Sequence, residues 1–171
     1  LTHLVYEADY ELMLMPEQLA ALPRQLMRLT IRNAQFPEDA FHFLPTTLIS
    51  LFLEYIPEDI NFAHLTRLEA LRLADDNAFL ESALATLPPT LCSLELEAHF
   101  SDLSDACSAS LPRGLTNLKI YGSESLSDEF VKHLPPNLET LELTNNLRIS
   151  DEGCAMLPKR LANLSFGRNS L

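Results

Sequence analysis

The chain has 171 residues and a mass of 19.2 kDa, and 12 Lys and Arg against 24 Asp and Glu leave a formal net charge of −12. This length can bury a core without disulfide staples, and the acidic balance disfavours binding to nucleic acid or to an anionic membrane. The sequence contains no run of 18 apolar residues, so no membrane-spanning segment is predicted. Cys92, Cys107 and Cys154 are too few and too far apart for a disulfide framework, so we expect free, mostly buried thiols.

Leucine dominates the composition, with 36 leucines among the 171 residues, and the 11 prolines exclude long helices. The leucines follow one template, Leu-x-x-Leu-x-Leu, in which Ile, Phe or Tyr can replace the last leucine. Eight copies, about 23 residues apart, begin at Leu1, Leu26, Leu48, Leu68, Leu91, Leu115, Leu138 and Leu161. The alternating apolar residues predict a short strand with one buried face in each copy, and parallel stacking of the copies gives a continuous core.

The residues between the strands predict a short return path on the other side of the sheet. Leu-Pro precedes six of the strands, and a proline there ends a helical turn. Ser104, Ser127 and Ser150 are each followed by Asp, which predicts N-capped helical turns over residues ~105–111, ~128–134 and ~151–157. Earlier in the chain, Pro16 and Pro37 predict first turns. The predicted turns contain Cys107, Phe130 and Cys154, which we expect to face the core, whereas Pro57-Glu58-Asp59 predicts an extended return.

These features together resemble those of leucine-rich repeat proteins, over essentially the whole chain. The resemblance implies an α/β solenoid shaped as a horseshoe arc, with a parallel sheet of about eight strands on the concave face and short helices or 3₁₀ turns on the convex face. The Leu-Pro-x-x-Leu-x-x-Leu-x-Leu pattern is similar to repeats of bacterial effectors, and residues 149–154 resemble a turn of the repeats in F-box substrate adaptors. No single subfamily is assigned.

We interpret residues 1–171 as one repeat domain. Leu1 is already the first template leucine, and no sequence typical of a terminal cap precedes or follows the repeats. Because terminal repeats normally carry a polar outer face, we expect this domain to be a piece of a longer protein with flanking domains or caps.

The outward positions of the strands predict a binding face on the concave side. Phe52 is an aromatic residue at the centre of its strand, with Glu54 and Tyr55 in the same repeat. Arg28, Arg32 and Arg72 lie on the neighbouring strands, and aromatic residues beside arginine are typical interface anchors. The alternative is ordinary surface variation around one aromatic side chain.

A second feature of this face is an acidic stripe that includes Glu95, Glu97 and Glu142, interrupted by Lys119 and followed on the same strand by Tyr121. Like charges on neighbouring strands repel unless a cation compensates them, and Lys119 is placed to do so for both groups. One interpretation is a basic protein partner. The other is a solvated face that is partly neutralised by its own cations.

These patterns predict a protein–protein interaction module that binds its ligand on the concave face, with no catalysis, no cofactor and no metal. The alternative is the substrate-recognition domain of a larger ubiquitin ligase or secreted effector. Reduced cysteines favour the cytoplasm, either of the producing cell or of a host cell in the case of an effector, over an extracellular location.

Overall fold

The computed structural model describes residues 1–37, 40–56, 60–74, 80–97, 103–122, 124–144 and 148–167. Eight strands form one parallel sheet in chain order, each hydrogen-bonded to the next. The strands are β1 (His3–Met13), β2 (Arg28–Gln35), β3 (Ser50–Leu53), β4 (Ala70–Ala74), β5 (Ser93–Glu97), β6 (Asn117–Tyr121), β7 (Thr140–Thr144) and β8 (Asn163–Gly167). Seven steps of ~4.8 Å make the sheet about 34 Å wide. The predicted parallel repeat sheet is therefore confirmed.

Each strand after β1 begins two residues after a template leucine, because that leucine ends the preceding turn and its successor starts the sheet pairing. Strand β1 is longer than the template predicts: it continues to Met13 and pairs with β2 through a register shift between Glu7 and Leu12. In the interior strands the template leucines point into the core and are at most 2% exposed.

The connections between strands carry short helices on the convex side, opposite the concave face of the sheet. They are α1 (Pro16–Ala20), α2 (Leu80–Leu84), α3 (Asp128–Lys132) and α4 (Asp151–Ala155), with 3₁₀ helices at Ala40–Phe43 and Asp105–Ser110. Pro16 occupies the first turn of α1, as predicted. The repeat that leads from β3 to β4 is the shortest, since only 20 positions separate the template leucines Leu48 and Leu68. It has no helix from Ile60 to Arg67, and its Phe62 packs edge-on against Phe41 to fill the core. The predicted turn at residues 57–59 lies outside the described residues.

A ladder of hydrogen bonds links successive convex turns. Ser127 donates its backbone N–H and its hydroxyl to the Asp105 carboxylate, at 2.7 and 2.5 Å. Ser150 donates in the same way to Asp128, at 2.8 and 2.6 Å. These bonds lower the pKa of Asp128, since they stabilise its charged form. The ladder also explains Gly153: a Cβ there would lie 2.0 Å from Asp128 Oδ1.

Two details of the predicted turns are corrected by the structure. Ser127 and Ser150 cap α3 and α4 with their hydroxyls, but Ser104 makes no such cap, and its N–H donates instead to the Glu81 carboxylate. Cys107 and Phe130 are buried as expected, whereas Cys154 is exposed. Gly153 occupies the position equivalent to Cys107 and Phe130. Cys154 lies one residue further along, where the equivalent Ser108 and Val131 are buried, and it is exposed because no described repeat packs beyond α4.

The prediction that most thiols are buried is also wrong, because Cys92 and Cys154 are exposed and only Cys107 is buried. All three cysteines are free. At the last strand, β8 has one edge that pairs with no described strand, so Leu164 and Phe166 are 44% and 39% exposed, although their equivalents in the interior strands are buried.

Candidate functional site

The concave face consists of outward side chains in matched rows, because the parallel pairing brings equivalent residues of each repeat side by side. The central row runs across all eight strands: Val5, Thr30, Phe52, Arg72, Glu95, Lys119, Glu142 and Ser165. Its chemistry changes at every step, whereas the buried row beside it is almost entirely leucine. The variable residues therefore lie where a ligand can reach them.

Phe52 lies between two arginines. The Arg72 guanidinium carbon is 4.8 Å from the centre of the Phe52 ring, and that of Arg32 is 5.3 Å away. Both distances are within the range of cation–π attraction. The structure thus brings Phe52, Arg32 and Arg72 together, as the strand register predicts. Arg28, which was predicted to flank the same ring, lies on β2 opposite Ser50 and is exposed.

Arg72 is held in place by two carboxylates on the next strand. Its terminal nitrogen Nη2 donates to both oxygens of Glu97, at 2.5 and 2.7 Å, and its Nε lies 3.5 Å from Glu95 Oε1. Burial raises the pKa of Glu95. Burial is also the largest single effect on Glu97, but the hydrogen bonds to Arg72 and Glu95 and the charges of Arg72 and Lys119 together lower the pKa of Glu97. Arg72 is therefore a fixed part of the surface.

The acidic stripe is largely neutralised within the face. Lys119 pairs with Glu142 at 3.5 Å, and Arg72 pairs with Glu95 and Glu97. Lys119 lies opposite Glu95 and its charge acts on both acidic groups, as predicted, but Arg72 is the closer partner of the first group. These ion pairs favour a surface that is partly neutralised by its own cations over a stripe of unpaired carboxylates that would attract a basic partner.

A hollow of about 310 Å³ opens beside Phe52 on the same face. Its floor includes Ser50, Ala70 and Ser93, which are matched residues of β3, β4 and β5, and its walls include Thr30, Arg32, Phe52, Arg72 and Glu95. The small floor residues were missed as site residues. A signal for them exists in the sequence. The second outward position of the repeat is small in three successive repeats, whereas the repeats on either side carry the larger Arg28 and Asn117 there.

The remaining predicted site residues lie around this centre without joining it. Glu54 follows β3 and accepts a hydrogen bond from the Asn33 N–H at 2.9 Å. Tyr55 is half-buried in the bend after β3, and Tyr121 lies on β6 opposite Glu97. Burial raises the pKa of Tyr121, and the nearby Glu142 adds to the effect. Among the described rings, neither tyrosine stacks on Phe52.

The described residues contain no group of three or more His, Cys, Asp or Glu side chains placed to hold a metal ion. None of the helices in the described ranges has the length and apolar character needed to cross a membrane.

The parallel sheet with a variable concave face and short convex helices defines a leucine-rich repeat fold, as the resemblance predicts. Two solved structures share this fold. One is the leucine-rich repeat-containing protein LegL7 from Legionella pneumophila, with a TM-score of 0.57 and 19% identity; the match covers 92% of this chain and 62% of that chain. The other is an internalin, inlF, from Listeria monocytogenes, with a TM-score of 0.58 and 20% identity over 95% of this chain and 55% of that one.

The chain therefore spans less than two thirds of either of these structures. At these identities the likeness shows the fold alone. In sequence, no family model and no curated protein matches the chain.

Proposed function

We propose that this protein is a protein-binding module and that its ligand docks on the concave face, centred on Phe52. The observation that carries the proposal is the Phe52 ring held between Arg32 and Arg72 at the edge of a hollow. Aromatic residues and arginines that converge on one pocket are the residue types that dominate binding energy in protein interfaces.

The rigidity of the centre supports the same proposal. Arg72 is already fixed by Glu97 and Glu95, so its side chain loses little conformational freedom when a ligand arrives. Preorganisation of this kind raises affinity because less ordering accompanies binding. Template leucines that are almost fully buried hold each strand of the site, so the backbone beneath it is also rigid.

The test is affinity capture from cell extract, followed by mass spectrometry, with the wild type beside a Phe52→Ala variant. Phe43→Ala is the matched control, because Phe43 is 47% exposed on the convex 3₁₀ helix at Ala40–Phe43. We expect a partner that wild type and Phe43→Ala recover equally and that Phe52→Ala loses by about tenfold or more, the size of a hot-spot truncation. Equal recovery by all three proteins would show that the concave site is wrong.

Arg32→Glu is a better charge variant for this test than Arg72→Glu. A glutamate at position 72 would add a third carboxylate beside Glu95 and Glu97 and would destabilise the face itself. No carboxylate among the described residues lies within 4.0 Å of the Arg32 guanidinium, so its replacement leaves the described ion pairs intact.

The compartment that we propose is the cytoplasm, of the producing cell or of a host cell. Its support is the three free thiols, since reducing compartments keep cysteines unpaired. A role as the substrate-recognition domain of a larger ligase or effector stays a prediction, as does a basic partner.

A further inference from the structure

The cations of the concave face fall into two groups. Arg72 and Lys119 each lie against glutamates of the neighbouring strand, at distances up to 3.5 Å. Arg28 and Arg32, both exposed on β2, have no carboxylate within 4.0 Å among the described residues. Glu7 is opposite Arg32 in register but lies beyond that distance, and Glu54 is engaged by the Asn33 N–H. Positive charge at the β2 end of the face is therefore available to a ligand.

Arg32 has N–H donors from which an anionic ligand can accept hydrogen bonds. The face of a guanidinium group stacks on an aromatic ring, whereas its N–H donors lie in the plane and match a carboxylate. The Arg32 guanidinium carbon lies 5.3 Å from the Phe52 ring centre, and no carboxylate among the described residues lies within 4.0 Å of the group, so its N–H donors have no carboxylate partner there. Arg32 is also part of the wall of the hollow.

The lining of the hollow fits an anionic side chain better than a cationic one. Thr30, Ser50 and Ser93 bring hydroxyl groups that can donate hydrogen bonds to an anion. Among the described residues, Glu95 is the one carboxylate in the lining, and it already faces Arg72. A Lys or Arg side chain in this place would meet the charge of Arg32 without a free carboxylate to bind it.

The size of the hollow limits what enters it. A volume of about 310 Å³ lies at the lower end of the range for ligand pockets, ~300–1,000 Å³. It therefore holds one or two side chains of a protein segment that lies across the strands. The exposed part of Phe52 provides an apolar contact immediately beside the charged one.

We infer that the β2–β5 end of the concave face recognises a protein segment in which an Asp or Glu side chain lies next to an apolar residue. The carboxylate binds at Arg32, with Arg28 adding to the positive field, and the apolar side chain packs on Phe52. This inference rests on the proposed function and specifies the chemistry of its ligand. The net charge of the whole chain, −12, would suggest a basic ligand, but the unpaired charge at this site has the opposite sign.

The experiment is selection of short peptides from a random library displayed on phage, against the immobilised wild type and three variants. The variants are Phe52→Ala, Arg32→Glu and, as the matched charge control, Arg113→Glu, whose exposed arginine lies in the turn before β6. We expect wild type and Arg113→Glu to enrich peptides with an acidic residue beside an apolar one. Peptides selected on wild type should bind Arg32→Glu about tenfold more weakly by fluorescence polarisation, and added salt should narrow that difference because it screens the charge at position 32.

The other outcomes separate this inference from the proposed function. Peptides that depend on Phe52 but carry basic residues, or that bind Arg32→Glu as well as wild type, overturn the acidic ligand and leave the concave-face site standing. If every peptide selected on wild type binds Phe52→Ala equally well, both the acidic ligand and the concave-face site are overturned.

Discussion

The two faces of the arc use the repeat in opposite ways. On the convex side, Asp105 and Asp128 make the same pair of hydrogen bonds to the Ser of the next repeat. On the concave side, the central row changes from Phe52 to Arg72 to Glu95 within three strands. Contacts that recur from repeat to repeat hold the frame together. Residues that depart from the repeat, on a surface that the frame keeps rigid, form the proposed site.

The difference has a physical origin. A convex carboxylate accepts a hydrogen bond from a backbone N–H that would otherwise lie unpaired between two repeats; Asp105 and Asp128 do so for Ser127 and Ser150, and Glu81 does so for Ser104. A concave side chain projects from a strand whose backbone hydrogen bonds are already complete, so the fold sets no requirement on its chemistry. Three experiments compare matched residues of the two faces.

The largest expected difference concerns the thiols. Burial raises the pKa of Cys107 to about 12 from an ordinary 9.0, and Glu81 and Asp105 add to the effect. Each unit lowers the reactive thiolate fraction tenfold, so Cys107, in a convex turn, should react roughly a thousandfold more slowly than an exposed thiol. Labelling with Ellman's reagent should give two fast thiols, Cys92 and Cys154, and a third that reacts only on unfolding.

The Cys107→Ala variant is the control, since it should keep both fast thiols and lose the slow one. Three thiols that react together in the native protein would contradict the burial of Cys107.

The second comparison is between two phenylalanines. Phe130 in α3 is fully buried, so Phe130→Ala should lower the free energy of unfolding by about 3–5 kcal/mol. Phe52→Ala removes two cation–π contacts at a half-exposed position, and should cost about 1–2 kcal/mol. Urea denaturation followed by circular dichroism measures both. Equal losses of unfolding free energy in the two variants would mean that Phe52 is part of the core. A binding defect of Phe52→Ala would then report unfolding rather than a lost contact with the ligand.

The smallest effects concern the polar contacts of the two faces. Asp105→Ala leaves the Ser127 N–H and hydroxyl without their acceptor, which should cost about 1.5–3 kcal/mol. Asp105→Asn keeps one acceptor oxygen and should cost less. On the concave side, Lys119→Ala removes a solvent-exposed ion pair and should cost at most about 1 kcal/mol. A larger loss for Lys119→Ala than for Asp105→Ala, measured by the same urea titration, would reverse the comparison.

The convex ladder also predicts a pH dependence. Hydrogen bonds from Ser150 lower the pKa of Asp128 in the folded protein below its ordinary 3.8. As the pH falls, Asp128 therefore takes up a proton in the unfolded chain before it does so in the folded protein. The stability that the charged Asp128 contributes is complete above pH 3.8. It is lost as the pH falls through the lower pKa of the folded state. Stability curves of wild type and Asp128→Asn should converge in that acid range. Curves that run parallel through it would show that Ser150 does not hold Asp128 charged.

The spacing of the leucines was enough to predict the parallel sheet and its strand positions, and the Ser-Asp pairs predicted the capped turns after Ser127 and Ser150. It also placed Phe52 beside Arg32 and Arg72, because a parallel repeat brings equivalent positions of neighbouring strands into register. These features follow from backbone periodicity, which local sequence specifies. The expectation for Cys154 failed for a tertiary reason: Ser108 and Val131, at the equivalent position of the two preceding turns, are buried, whereas α4 belongs to the last described repeat and has no further described repeat packed beside it.

Only the tertiary structure decided how the polar side chains pair. Arg72 and Lys119 are both within one strand of Glu95, and their long, flexible side chains can reach several carboxylates. The geometry gives Glu97 to Arg72 and Glu142 to Lys119, and it leaves Arg28 and Arg32 without a carboxylate partner among the described residues. The hollow likewise forms where three small residues, Ser50, Ala70 and Ser93, meet on adjacent strands beside larger side chains. Periodicity specifies which face a residue occupies, whereas side-chain reach and neighbouring volume determine its contacts there.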